Sequence, residues 1–213
     1  MRIALIHALS HSVAPINEEM ARAWPEAVRM NLLDDSLSAD LARSGRGLDA
    51  TMHQRFETLT AYAEGTGAQG ILFTCSAFGP CIEAAAARRP HMPVLKPNEA
   101  MIAEALAVGG RIGLLATFGP TLESMPPEFP PGTDLRVALA DGALDALNVG
   151  DLARHDALAA EAAQRLKLQG CTVIALAQFS LARAAGAVHA ATGLPVLTTP
   201  GSAVRALRRR LLG

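Results

Sequence analysis

Short continuous apolar runs alternate along this chain with longer stretches in which apolar residues recur at helical spacing. That alternation is the pattern of strands buried on both faces and joined by amphipathic helices. Arg2 to Ile6 reads as a first central strand, followed by "HALSHSVAP" and a helix from Asn17 to about Trp24. Val28 to Leu33 reads as a second strand. The polar, Ser- and Gly-bearing stretch Asp34 to Gly47 reads as a loop that can lie over the strand ends as a lid. A long helix is predicted from about Leu48 to Glu64, with Met52, Phe56, Leu59 and Ala63 on its core face. Residues 67 to 80, "GAQGILFTCSAFGP", read as a buried strand that stops on Cys75 and turns into an Ala-rich helix reaching Arg88. "MPVLKP" is a short strand, and Asn98 to Val108 a helix ended by Gly109 and Gly110.

The pattern then starts again. "RIALIHAL" at Arg2 is echoed by "RIGLLATF" at Arg111, an offset of 109 residues. "GAQGILFTCSAF" is echoed by "GCTVIALAQFSL", which sets Gln178 against Cys75 at an offset of 103. "PVLKPNEAM" is echoed by "PVLTTPGSA", Pro93 against Pro195, at an offset of 102. Three strand motifs in one order at near-constant separation point to a duplication. The expected fold is therefore α/β, with two pseudo-symmetric lobes, each a parallel sheet flanked by helices. The first lobe is expected to hold residues 1 to 109, the second 110 to 198. A last helix, Pro200 to Leu212, is expected to return to the first lobe, so that 199 to 213 belongs with it. The site is expected in the cleft between lobes, with Cys75 and Gln178 on opposite walls.

Composition narrows the function classes. With 213 residues, 50% apolar and 4% aromatic, the chain is globular and long enough for ordinary cores. A formal net charge of -1 gives no electrostatic footprint for nucleic acid or an anionic membrane. Arg208, Arg209 and Arg210 form the one basic cluster, suited to the solvated last turn of a helix. No apolar run is long enough to span a bilayer, and "MRIALIHAL" lacks the parts of a signal peptide, so a cytoplasmic protein is expected. Three irregularly spaced cysteines, Cys75, Cys81 and Cys171, suggest neither a disulfide framework nor zinc. The turn after the first strand contains no glycine, which argues against a dinucleotide-binding enzyme. The oligomeric state stays open, a homo-oligomer included.

Chemistry concentrates at Cys75. Ligands of open parallel sheets bind outside the carboxyl ends of strands, and a thiol there faces the start of the following helix, which favours thiolate. Cys81, six residues further on, reads as packing in that helix. Cys171 lies at the start of its strand, about seven residues or ~23 Å of extended chain from Gln178, at the wrong end of the sheet. Lys96 and Glu99 follow the "PVL" strand, where Lys96 offers a cation to an acidic substrate. His53, His91, His155 and His189 fall in helices or turns without an evident partner.

The duplicated lobes, the "TCS" turn at Cys75, the "RIGLLAT" strand with Thr117 and the "PVL" strands together resemble the aspartate/glutamate/hydantoin racemase superfamily, which includes arylmalonate decarboxylases and maleate isomerases. The resemblance covers essentially the whole chain. It implies carbon-acid chemistry without metal, nucleotide or pyridoxal phosphate on a small carboxylate or hydantoin-like carbonyl compound, with cysteines of the two lobes flanking the α-carbon. The developing enediolate then needs preorganised donors. Candidates are Ser76 beside the thiol, Thr117 and Thr121 in the second lobe, Ser12, which the repeat places against Thr121, and Ser180 just past Gln178.

The sequence departs from this pattern at one position: the second cysteine is replaced by Gln178, whose amide is neither acid nor base near neutral pH. Three alternatives follow. His7, at the end of the first strand, or His11, in the loop after it, faces Cys75 as the second catalyst. Cys75 works alone, as the proton donor of a decarboxylase or lyase or as the nucleophile of a cis-trans isomerase, with Gln178 donating its amide to the substrate. Or the protein binds a carboxylate without turning it over.

Overall fold

A computed structural model describes the whole chain, Met1–Gly213. Its elements run β1 (Arg2–His7), α1 (Val13–Ala23), β2 (Val28–Leu33), α2 (Ser36–Ser44), α3 (Ala50–Gly65), β3 (Gly70–Phe73), α4 (Gly79–Ala87), β4 (Val94–Leu95) and α5 (Glu99–Val108). Then come β5 (Ile112–Ala116), α6 (Gly119–Ser124), β6 (Leu135–Leu139), α7 (Ala143–Asn148), α8 (Leu152–Leu168), β7 (Val173–Leu176), α9 (Ala185–Thr192), β8 (Val196–Thr198) and α10 (Thr199–Leu212). No helix is long and apolar enough to cross a membrane.

The strands form two parallel four-stranded sheets of identical order, β2-β1-β3-β4 and β6-β5-β7-β8. The register repeats as well. Ile3 pairs with Gly70 and Ile6 with Phe73 in the first sheet; Ile112 pairs with Val173 and Leu115 with Leu176 in the second. Ile71 pairs with Val94, and Ile174 with Val196. The offsets read from the sequence are thus those of the ladders, and Cys75 and Gln178 occupy the same place, two residues past the ends of β3 and β7.

Burial explains why these runs are strands. Ile3 to His7 of β1, and all of β3, β5 and β7, are buried, as central parallel strands covered by helices on both faces must be. The edge strands β2 and β6 are partly exposed throughout, which is why β6 gives no clean apolar run in the sequence. Around the first sheet, Phe56 stacks on Phe73 at 5.2 Å and meets Phe78 at 4.9 Å, closing a core that includes Ile71, Ile82 and Cys81. Gly70 lies where α10 crosses β3: a Cβ there would meet Leu211 and Leu207 side chains at 3.0 and 3.1 Å. The last helix does return to the first sheet.

Three boundaries differ from the sequence reading. The helix expected from Asn17 begins at Val13, because Pro15 falls in the first turn, where its missing N–H costs no hydrogen bond. The stretch expected as a loop over 34 to 47 contains α2, held by Leu37 and Leu41, with Leu37 1% exposed. The chain also divides earlier than Gly109: one compact unit holds Met1–Pro97 and Ala203–Gly213, the other Asn98–Ser202. Helix α5 goes with the second unit because Met101, Ile102 and Ala105 bury against Ile112, Leu114 and Val173.

Candidate active site

At the ends of β1 and β3 in the first unit, the side chains past the strands form a linked polar group. Thr74 continues β3, its N–H donating to Ile6 O at 3.0 Å. His7, 0% exposed, is bonded at both ring nitrogens, Nδ1 to Thr74 Oγ1 at 2.9 Å and Nε2 to Asn31 Oδ1 at 2.9 Å. The donors can be assigned. Asn17 Nδ2 donates to Val13 O at 2.8 Å and to Asn31 Oδ1 at 2.8 Å, so that oxygen accepts, and His7 must donate to it from Nε2. Nδ1 then accepts from the Thr74 hydroxyl. Burial pushes the His7 pKa below its ordinary value, with the Asn31 bond opposing, so the ring is neutral at pH 7. Facing Cys75 as a second catalyst is not a role this environment suits: both nitrogens are taken and the ring is inaccessible.

Cys75 lies between Thr74 and a 3-10 turn, Ser76–Phe78, that leads into α4. It is partly buried against the apolar cluster of the first unit. Burial pushes its thiol up; hydrogen bonds from the Ala77 backbone and the Ser38 side chain act the other way and are outweighed. The expectation that the helix start favours thiolate is therefore corrected. The 3-10 turn separates the sulfur from the first residues of α4, and desolvation of the thiolate dominates. Ser38 is a residue that sequence reasoning missed. It sits on α2, and its hydroxyl donates to Ala8 O at 3.0 Å. Ser12 is 6% exposed and its hydroxyl reaches Thr74 O at 3.5 Å. Ser76 is partly buried and His11 exposed, neither side chain bonded within the protein.

At the matching strand ends of the second unit, Gln178 is bound to Thr117, whose N–H and Oγ–H both donate to its Oε1, at 2.6 and 3.0 Å. Because the Thr117 N–H can only donate, Oε1 is fixed and Nε2 is left as a two-hydrogen donor edge free of intramolecular bonds. Thr117 and Thr121 are 6% and 8% exposed, and Ser180 partly buried. The turn after Gln178, Ser180–Ala184, is pinned by Arg183, which grips both oxygens of Asp156 on α8 at 2.9 and 3.0 Å. Asp156 also holds His155 Nδ1 at 2.7 Å, so His155 has the partner that sequence spacing did not reveal. Its Nε2 is buried without one. His91 likewise pairs with Glu64, and His189 bonds Leu194 O.

The remaining candidates lie elsewhere. Lys96 is ion-paired with Glu83. Cys81 is buried in α4, its thiol pushed up to about 11 by desolvation and by Asp49, and Cys171 is buried two residues before β7. No group of three or more His, Cys, Asp or Glu side chains is placed to hold a metal ion.

Comparison with known proteins agrees with this architecture. A sequence model of the family described as Asp/Glu/Hydantoin racemase matches residues 10–207. No curated protein sequence matches significantly. Among solved structures, an aspartate racemase homologue from Pyrococcus horikoshii superposes with a TM-score of 0.71 at 14% identity, covering 100% of this chain and 99% of that one. Allantoin racemase from Klebsiella pneumoniae gives 0.70 at 18% identity, covering 98% and 86%. Glutamate racemase from Francisella tularensis in complex with D-glutamate gives 0.70 at 11% identity, covering 99% and 80%. At these identities the structures share the fold with this chain. The family match spans nearly its whole length, and the chain belongs to the Asp/Glu/hydantoin racemase family.

Proposed function

We propose that this protein is a cofactor-independent enzyme of racemase type that moves a proton at the α-carbon of a small carboxylate or hydantoin-like carbonyl compound. The observation that carries this reading is the occurrence of unlike groups at equivalent positions: a thiol at Cys75 and, at Gln178, an amide whose oxygen is held by Thr117. In this reading Cys75 is the proton-transfer group. The Gln178 Nε2 hydrogens bind the substrate carboxylate or carbonyl oxygen, and they stabilise the negative charge that develops there as the α-carbon becomes planar. Ser12, Ser76, Thr121 and Ser180 supply further hydroxyl donors at the two strand ends.

The same groups favour chemistry on one face of the substrate. Racemisation needs a proton-transfer group on each face, and an amide supplies none. A thiol whose pKa is raised by burial keeps its proton at neutral pH, which suits delivery of a proton to a planar carbanion, the protonation step of a decarboxylase or lyase. The test is incubation of wild type and Cys75→Ala with a panel of α-substituted carboxylates, malonates and hydantoins in deuterated water. Cysteine-dependent deuterium incorporation or decarboxylation supports the reading. Tight binding of a panel member without any turnover would make the protein a carboxylate-binding protein instead.

A further inference from the structure

A cavity of about 280 Å³ opens between α2 and α3 in the first unit. Its charged lining is Arg43 near the end of α2, Arg46 and Asp49 in the turn that follows, Asp40 on α2 and Arg55 on α3. Met52, buried in the same cluster as Phe78 and Cys81, is its apolar member. The turn runs through Gly45 and Gly47, both in the left-handed region at φ 61° and 63°, where a side chain would be strained, and it brings Arg43 and Arg46 to one cavity. The cavity is at the edge of the sheet that carries Cys75. Helix α3 ends at Gly65 and β3 starts at Gly70, so the helix returns antiparallel to the strand and its first turn lies at the strand's carboxyl end.

The hydrogen bonding of this lining is one-sided. Every carboxylate oxygen is engaged. Asp40 Oδ1 accepts from Arg43 Nη2 at 2.7 Å and its Oδ2 from Arg55 Nη1 at 2.8 Å. Asp49 Oδ1 accepts the Met52 N–H at 3.0 Å, and its Oδ2 lies 3.2 Å from Arg46 Nε. Arg55 is committed as well, its Nη2 donating to Asp34 Oδ2 and Ser36 Oγ, each at 2.6 Å. The other two arginines are not. Arg43 meets the protein only through Nη2 and Arg46 only through Nε, so Nε and Nη1 of Arg43 and both Nη atoms of Arg46 have no protein acceptor. Arg43, Arg46 and Arg55 are balanced by Asp34, Asp40 and Asp49, so net charge does not draw a ligand in. The surplus is one of directed donors, and it calls for acceptors. Lys96, the cation expected at this edge from the sequence, is taken up by Glu83.

We propose that this cavity is a binding site for a small oxyanion, with Arg43 and Arg46 as the binding residues and Arg55 as the fixed support behind them. A phosphate or carboxylate group accepts paired N–H donors from a guanidinium in a planar fork, which a single Asp contact to each arginine leaves available. A volume at the bottom of the roughly 300 to 1,000 Å³ range of small-molecule pockets suits a phosphate or a short polycarboxylate. The bound oxyanion joins the end of α2 to the turn before α3. It thereby holds the segment whose Leu37 and Leu41 pack into the cluster with Cys75.

This site is formed by residues other than the strand-end groups, and its test uses protein that lacks the reactive thiol. Cys75→Ala is titrated calorimetrically with inorganic phosphate and, separately, with citrate at fixed ionic strength. Saturable binding of one anion per chain is expected. Adding Arg43→Gln and Arg46→Gln together should weaken it about tenfold or more, the size of a lost charge-assisted hydrogen bond. Both arginines are exposed and their ion pairs are local, so the double variant should stay folded. Urea denaturation followed by Trp24 fluorescence checks this and gives a second readout. A ligand of the folded state raises the midpoint of the parent more than that of the double variant, whereas the general stabilisation by excluded salts is common to both. Gln178→Glu should leave the affinity unchanged, which separates this site from the strand ends. Tighter binding of phosphate would identify a phosphate-bearing ligand, and of citrate a polycarboxylate. No saturable binding of either anion overturns the proposal, and so does equal affinity in the parent and the double arginine variant.

Discussion

Acidification from about pH 8 to about pH 5.5 protonates an ordinary histidine, and His7 has no place for the added charge. Its Nε2 hydrogen already goes to Asn31, its Nδ1 accepts from Thr74, and the ring is fully buried with no carboxylate bonded to it. The folded-state pKa is accordingly lowered, by burial first and against the Asn31 bond. The sign follows: the unfolded chain takes up a proton as pH falls through about 6.5 while the folded chain does not, so the contribution is present above that pH and lost below it. One pH unit under the unfolded value the loss is about 1.4 kcal/mol, provided the folded ring stays neutral. Carboxylates with lowered pKa, such as Asp34, Glu57 and Asp156, lose their contributions only in more acid solution, outside this window. The assay is urea denaturation followed by fluorescence of Trp24, the single tryptophan, which is 3% exposed in the same compact unit as His7. His7→Gln keeps a donor toward Asn31 but cannot titrate, and its stability should be flat over the window where wild type declines. Parallel curves for the two proteins would refute the burial argument and return His7 to the accessible acid-base groups.

Two further substitutions probe other parts of the structure. In Gln178→Glu the Thr117 donors still find oxygens, so the fold is retained, but the donor edge becomes a negative charge; KM for an anionic substrate should rise about tenfold or more. An unchanged KM would remove Gln178 from the substrate contacts. Arg89 is 5% exposed and bridges Glu57, at 2.7 and 3.0 Å, to Glu64, tying α3 to the end of α4. Arg89→Met should destabilise the first unit by about 2 to 3 kcal/mol, less than for a fully buried pair because Glu57 keeps some solvent, and Trp24-detected denaturation measures it.

The strand framework was legible because central parallel strands are apolar at every position, and a duplication prints the same run twice. β1 and β5, β3 and β7, β4 and β8 were therefore found with their registers, and Cys75 and Gln178 came out as equivalent. The edge strand β6 escaped because its residues are only partly buried and need not be uniformly apolar. Helix α2 was read as a loop because it is short and Leu37 and Leu41 alone mark its core face. Losing α2 meant losing Ser38, a serine far from Cys75 in sequence with no local motif to mark it. His7 illustrates the opposite error. A histidine at a strand end invites a catalytic role, but its burial depends on Thr74, Asn31 and Asn17, which come together only when β1, β2, β3 and α1 assemble. The helix caps held one further echo, since Asp49 and Asp151 each accept from the N–H three residues on, an offset of 102 that the strand repeats would have located.

The proposed reaction uses one proton-transfer thiol, Cys75, where the equivalent strand end of the second unit carries the Gln178 amide. A single enantiomer of a turned-over substrate, incubated with wild type in deuterated water, gives the most direct test when deuterium at the α-carbon and enantiomeric composition are followed together. With proton transfer confined to Cys75, deuterium should enter while the enantiomeric excess persists, and Cys75→Ala should stop it. Loss of enantiomeric excess in step with deuterium uptake would show a second acid-base group on the opposite face and contradict the account.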